Sequence, residues 1–168
     1  MMRVYIPATL AMLRQLVAEG ELFPVGGTAF AVTPTLREAY AEGDDDELAE
    51  VAITEAALAS LRLLAADEDA MNGLPPRRAV IVADVEPVKP RPDLDDAVVK
   101  VGAAVTTTDI VAVYVDNASA EPAVKAAVAV IDEADLGDED AELTVGDAQD
   151  HDLAWYATQE LPFLLELL

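Results

Sequence analysis

The sequence predicts an α+β fold, a ferredoxin-like two-layer sandwich in which a four-stranded split βαβ sheet carries helices on one face, with extra helices around it. Three observations lead to this prediction. Apart from small extra pieces, the predicted elements follow the order strand, helix, strand, strand, helix, strand. Hydrophobic residues make up 53% of the chain, which is enough for a packed core. The tripeptides at 4–6 and 113–115 are alike, and each precedes a capped helix, as in two similar halves.

The length of 168 residues fits one domain, which we predict to span residues 1–168. A proline-rich connector at 87–96 marks the middle of this domain or forms a mobile hinge. A doubly wound α/β domain is the alternative, because alternating helices and strands with Gly- and Pro-rich connectors would produce the same pattern.

The first half of the chain predicts two strands and three helices. Short polar side chains accept hydrogen bonds from the first turn of a helix, so Thr and Asp mark the helix starts. The first elements are a strand at 3–6, a helix that Thr9 caps and Gly20 ends, and a strand at 28–32. A second helix begins at Thr33-Pro34. A long third helix begins at Asp44, extends to about Ala70 and ends at Asn72-Gly73.

The second half predicts more strands, because continuous apolar runs bounded by polar residues are typical of covered strands. The first three elements are a strand at 79–83, a weaker strand at 97–101 and a strand at 110–115. A helix that Ser119 caps and Leu136-Gly137 ends comes next, followed by an acidic loop from Asp138 through Asp150. The chain then forms a last strand at 153–156 and a closing helix from about Gln159.

The charge balance excludes several classes of partner. The chain has 33 Asp and Glu against 10 Lys and Arg, a formal net charge of −23. Such a surface repels nucleic-acid phosphates and anionic membranes, so we expect neither as a direct partner. The apolar start resembles a secretory leader, but Pro7 and Arg14 count against one. We therefore predict a cytoplasmic protein.

The sequence offers little support for a catalytic centre. It has no cysteine, which excludes thiol nucleophiles and Cys-based metal sites. The acidic clusters at 44–47, 67–69, 132–140 and 147–152 do not fit calcium-loop spacing, so we interpret them as solvated surface and helix caps. His151, the only histidine, could act as a general acid, but a single base makes no triad. We predict no cofactor and no metal site, and the sequence leaves open whether the protein is an enzyme.

Aromatic residues mark a candidate interaction surface. Because strand side chains alternate between faces, Tyr5 and Tyr114 share the sheet face opposite Val4 and its neighbours. Trp155 or Tyr156, on the last strand, joins them in either register. We expect this face to bind a protein partner or a second copy. The alternative is that the first helix or the apolar tail at 161–168 covers the face.

The segments at 3–13, 26–34 and 155–161 resemble an uncharacterised conserved hypothetical protein family of actinobacteria. The resemblance spans nearly the whole chain. No activity, cofactor or site residue is known for that family, so the resemblance implies none here.

Three hypotheses for function remain open. The first is a non-enzymatic cytoplasmic interaction module that binds a protein partner or forms a homo-oligomer through the aromatic face or the apolar C-terminal helix. The second is an acidic decoy that mimics nucleic acid and binds a basic protein, as the charge of −23 suggests. The third is a small-molecule or metal-dependent enzyme that uses acidic residues and His151.

Overall fold

A computed structural model describes residues 1–66 and 73–168. It shows helices and strands mixed along the chain, which confirms the α+β class. The predicted end of the long helix and the acidic cluster at 67–69 lie outside the described residues.

The elements have the following bounds. The strands are β1 (Met2–Ala8), β2 (Glu21–Leu22), β3 (Thr28–Phe30), β4 (Ala79–Val85), β5 (Val88–Pro90), β6 (Val98–Val101), β7 (Val105–Thr106), β8 (Ile110–Val115) and β9 (Ala154–Tyr156). The α-helices are α1 (Leu10–Glu19), α2 (Pro34–Ala39), α3 (Asp45–Ala66), α4 (Glu121–Asp135), α5 (Glu139–Gln149) and α6 (Leu161–Glu166). Short 3₁₀ turns cover Val25–Gly27, Ala118–Ala120 and Thr158–Glu160.

The main sheet has seven strands in the order β5-β6-β3-β1-β4-β8-β9, and every neighbouring pair is antiparallel. A second, small sheet pairs β2 with β7. Strand β1 lies at the centre of this order, and β4 lies between β1 and β8, so the two strands with similar tripeptides both pair with β4.

This topology corrects the predicted split βαβ arrangement. In a split unit, another strand separates the two strands that a helix connects. Here β1 pairs directly with β3, and β8 pairs directly with β9, although helices intervene in the sequence. Helices also cover both faces of the sheet. The antiparallel pairing equally differs from a doubly wound sheet, because the order of elements does not determine which strands pair.

Several predicted helix boundaries are confirmed by their capping bonds. Thr9 Oγ1 accepts from Met12 N at 3.2 Å, and Thr33 Oγ1 accepts from the backbone N–H of α2 at 3.0 Å. Asp44 Oδ1 accepts from the first turn of α3 at 2.9 Å. Gly20 ends α1 with φ 78°, a left-handed conformation that favours glycine.

Two predictions in the second half are wrong. Ser119 does not cap α4, because it lies inside the 3₁₀ turn and α4 begins at Glu121. The predicted acidic loop at 138–150 is mostly helix α5, which Asp138 caps with a bond to Ala141 N of 2.9 Å. Ala141, Val145 and Ala148 lie at helical spacing and are buried, so small apolar residues stabilise this acidic helix.

The connector at 87–96 is partly regular. Residues Val88–Pro90 form β5, which extends the sheet by pairing with β6. Pro87 precedes this strand and Pro90 is its last residue, which suits an edge strand, because no second neighbouring strand needs N–H groups there.

The two faces of the sheet have different cores. On the first face, Val4 and Ile6 pack with the leucines of α1 and α6. On the second face, Tyr5 and Val82 pack with α3. Helices α4 and α5 in turn pack on the C-terminal part of α3. The position of α3 across the second face determines where clefts open.

Candidate functional site

Two adjoining clefts open along α3, where the helix lies over the second face of the sheet. We call them together the α3 groove. The inner cleft, of about 360 Å³, is lined by Glu50, Ile53, Thr54, Ala57, Arg78, Tyr114, Gln149, His151, Asp152 and Leu153. The outer cleft, of about 290 Å³, is lined by Arg3, Tyr5, Asp46, Ala49, Glu50, Ile53, Val82, Val111, Ala112, Tyr114 and Trp155.

The sequence of α3 explains why the groove exists. Positions 46, 49, 50, 53 and 57 lie on one side of a helix, since they follow three- and four-residue spacing. Ala49 and Ala57 on that side are small, so they leave space above the strands. Ile53 lies between them and lines both clefts. The helix therefore touches the sheet through part of its width and leaves a groove along one side.

Three of the four predicted interaction residues meet at the outer cleft. Tyr114 is the register partner of Trp155, and Tyr5 is the partner of Val82 in the neighbouring strand. Directly paired residues project to the same face, so Tyr5, Tyr114 and Trp155 share the second face. Tyr156 lies on the first face, where it packs against the aliphatic core.

The aromatic face is not open to solvent as a whole, because α3 covers much of it. Tyr5 is only 7% exposed, while Trp155 is 57% exposed and Tyr114 lies between them. The covering element is also not the predicted one, since α1 and the tail lie against the first face. Burial raises the pKa of the Tyr5 phenol. Of the three aromatic residues on this face, Trp155 is therefore the most available to a partner.

Carboxylates line the same groove. Asp46 and Glu50 lie on the α3 side, and Asp152 lies at the inner cleft. Within residues 1–66 and 73–168, none of these three forms an ion pair. At the outer end, Arg3 donates two hydrogen bonds of 3.0 Å to Asp84, which neutralises its charge and lowers the pKa of Asp84. The groove thus carries a local excess of negative charge.

Arg78, which lines the inner cleft, forms a buried ion pair with Asp116. Arg78 donates from Nε and Nη2 to the two oxygens of Asp116 at 2.9 and 2.7 Å, and its backbone N–H donates to Asp116 Oδ2 at 2.8 Å. Nη2 also donates to the carbonyl of His151 at 2.8 Å. The side chains of Arg78 and Asp116 are 3% and 0% exposed. This pair fixes the loop before β9 against the start of β4.

Sequence reasoning missed this pair, although a signal exists. Arg78 directly precedes the apolar run of β4, and Asp116 directly follows that of β8. Antiparallel neighbours bring the start of one strand beside the end of the other. The signal becomes readable only when the pairing of β4 with β8 is known.

The remaining catalytic candidates lack an organised constellation. His151 lines the inner cleft, but in the described part of the chain its imidazole makes no hydrogen bond. Ser60 is buried and bonds both the carbonyl of Ala8, at 2.7 Å, and the N–H of Ala79, at 3.1 Å, so it joins α3 to two strands. Across residues 1–66 and 73–168, no three His, Asp or Glu side chains cluster as metal ligands would. Over the same ranges, no helix combines the length and apolarity needed to cross a membrane.

Comparisons with known proteins confirm the predicted resemblance to an uncharacterised family. No curated protein and no solved structure gives a significant match to the chain. A family profile matches residues 2–165, which is nearly the whole sequence. The chain therefore belongs to a family of unknown function, DUF6912.

Proposed function

We propose that the protein is a non-enzymatic binding module whose α3 groove takes a lysine or arginine side chain from a basic segment of a protein partner. One observation carries this proposal. Aromatic rings and carboxylates without ion-pair partners in the described residues line the same outer cleft. The proposal joins the predicted interaction surface to the predicted basic partner.

The chemistry of the outer cleft suits a cation. The faces of Trp and Tyr rings attract ammonium and guanidinium groups, by about 0.5–1 kcal/mol at exposed sites and about 2 kcal/mol when water is excluded. Trp155, Tyr114 and Tyr5 supply such rings. Asp46 and Glu50 supply carboxylates on the opposite wall, which can accept charge-assisted hydrogen bonds.

The charge of the whole protein favours a basic partner over a second copy. Two chains of net charge −23 repel each other, and the groove brings further carboxylates to any contact made there. A basic segment is instead attracted from a distance, which raises its association rate. We accordingly expect a monomer when the purified protein is examined by light scattering.

The tryptophan content makes the proposal measurable, since Trp155 is the only tryptophan in the sequence. We would titrate the protein with an acetylated and amidated Lys-Gly-Lys-Gly-Lys peptide and follow Trp155 fluorescence. Glu50→Gln removes a groove carboxylate, whereas Glu133→Gln removes an exposed carboxylate of α4 that lines neither cleft. We expect Glu50→Gln to weaken binding about tenfold, since a hydrogen bond to a charged group contributes about 1.5–3 kcal/mol.

The same titration separates the groove from the decoy hypothesis. Both variants change the net charge by one unit. A partner that is bound only through the overall negative charge of the protein should therefore bind both variants with the same reduced affinity. Equal losses would contradict the groove and favour an acidic decoy. An unchanged Trp155 signal up to millimolar peptide would contradict binding in the groove.

A further inference from the structure

We propose that Arg78 forms a second subsite in the inner cleft and donates from Nη1 to a neutral carbonyl oxygen of the bound segment. This inference rests on the proposed function, because it names what else the groove recognises beside the basic side chain. The ligand class that follows is a peptide, which carries a cation and carbonyl groups together, and not a simple polyamine.

The donors of Arg78 show which atom is available. A guanidinium has five N–H groups, of which those on Nε and Nη2 bond to Asp116 and His151. The two N–H groups on Nη1 have no partner among the described residues. In the same residues, every fully buried side-chain nitrogen or oxygen has a partner. Nη1 is therefore not fully buried, and Arg78 lines the inner cleft, so we infer that Nη1 faces that cleft.

The rest of the Arg78 side chain is held in place. Only 3% of it is exposed, and the two-point contact with Asp116 fixes the plane of the guanidinium. The carbonyl of His151 adds a third contact. Binding of a ligand oxygen to Nη1 therefore costs little conformational entropy, because the donor is already ordered. This favours binding.

The charges around Arg78 select a neutral acceptor. Asp116 already balances the positive charge of the guanidinium. Glu50 and Asp152 line the same cleft and would repel a carboxylate or phosphate group. A carbonyl oxygen is a strong acceptor without net charge, so it can use the Nη1 donors and avoid that repulsion.

The two subsites are close enough for one peptide segment to occupy both. The inner and outer clefts share Glu50, Ile53 and Tyr114. A lysine residue whose ammonium lies near Glu50 and Trp155 can therefore place a main-chain carbonyl of its own segment in the inner cleft.

The test compares two ligands of equal charge. The capped Lys-Gly-Lys-Gly-Lys peptide and spermidine each carry three positive charges, but only the peptide has carbonyl groups. Thr54→Phe places a large ring at an exposed position on the wall of the inner cleft and leaves the pair of Arg78 with Asp116 intact. Ala126→Phe, at an exposed position of α4, is the matched control. Arg78→Lys keeps the positive charge but loses the Nη1 donors.

We expect Thr54→Phe to weaken the peptide at least fivefold and spermidine less than twofold, with Ala126→Phe unchanged for both. Arg78→Lys should likewise weaken the peptide more than spermidine, provided that circular dichroism shows the native fold. If the peptide binds Thr54→Phe as tightly as the parent protein, the inference is overturned and the proposed function stands. If neither ligand changes Trp155 fluorescence in the parent protein, the proposed function fails as well.

Discussion

The two faces of the sheet differ in how their helices fill the space above the strands. On the first face, α1 contributes Leu10, Leu13 and Leu16, all fully buried, and the cleft of about 330 Å³ on this side lies between α1 and α6 instead of above the strands. On the second face, α3 contributes mainly alanines, and the tyrosines of the strands fill part of the gap. Large aliphatic side chains close the first face, while small ones leave the α3 groove open on the second. The contrast assigns binding to the second face, although both faces contribute buried contacts to stability.

The largest effect should come from the buried pair of Arg78 and Asp116. Asp116→Ala leaves the Arg78 guanidinium buried without its counter-ion. Removing one partner of a buried pair costs about 3–5 kcal/mol. Chemical denaturation should show this loss of unfolding free energy, and a loss below about 1 kcal/mol would mean that water already solvates the pair. The second face would then depend on its ion pair far less than the buried geometry implies.

The next largest effect compares the two faces directly. Leu13→Ala should lower the free energy of unfolding by about 2–5 kcal/mol, because it opens a cavity in the first face. Trp155→Ala should cost less than about 1 kcal/mol, because the ring is 57% exposed, and should remove most peptide binding. Binding by the Trp155→Ala variant can be followed by calorimetry. Comparable stability losses in the two variants would remove the proposed division between the faces.

A smaller effect concerns Arg3 and Asp84 at the outer end of the groove. The Arg3 bond lowers the pKa of Asp84, so this pair contributes stability above the unfolded pKa of Asp84 and loses it as pH falls through the folded pKa. Both side chains are partly exposed, and Arg3→Met should cost less than about 1 kcal/mol at neutral pH. Thermal unfolding should show a larger difference between the variant and the parent protein at pH 7 than at pH 2. An equal difference at both pH values would exclude the ion pair as its cause.

The smallest expected effect is a gain in stability at Glu55 of α3. Burial, followed by the charge of Asp95, raises the pKa of Glu55. The folded state therefore binds this proton more readily than the unfolded state, and stability rises as pH falls through the folded pKa. At pH 7 the charged side chain costs stability, so Glu55→Gln should stabilise the protein by about 0.5 kcal/mol. Denaturation at pH 7 that shows a loss would contradict the sign.

Features that depend on neighbouring residues were predictable from the sequence. Thr9, Thr33 and Asp44 act within their own helix turn, so their capping roles needed no tertiary information. Strand alternation likewise placed Tyr5 and Tyr114 on one face. Helix α5 was not predicted because its buried residues are small and half of its other residues are acidic.

Features that depend on distant contacts were not predictable. The sequence order of the strands does not state that β1 pairs with β3 or that β8 pairs with β9. It also does not state which face α3 covers, since its alanine-rich surface shows little difference between its sides. Because the α3 groove depends on both facts, its aromatic residues could be named in advance but the groove could not.

The central claim, that the α3 groove of the second face binds a basic segment, can be tested by residue-resolved NMR. Amide shifts would be followed while the capped Lys-Gly-Lys-Gly-Lys peptide is added at physiological salt. We predict that the shifts concentrate along 46–57, 111–114 and 149–156, which are three of the segments that line the groove. Shifts spread evenly over the exposed acidic turns of α4 and α5, with none larger at the groove, would contradict the claim.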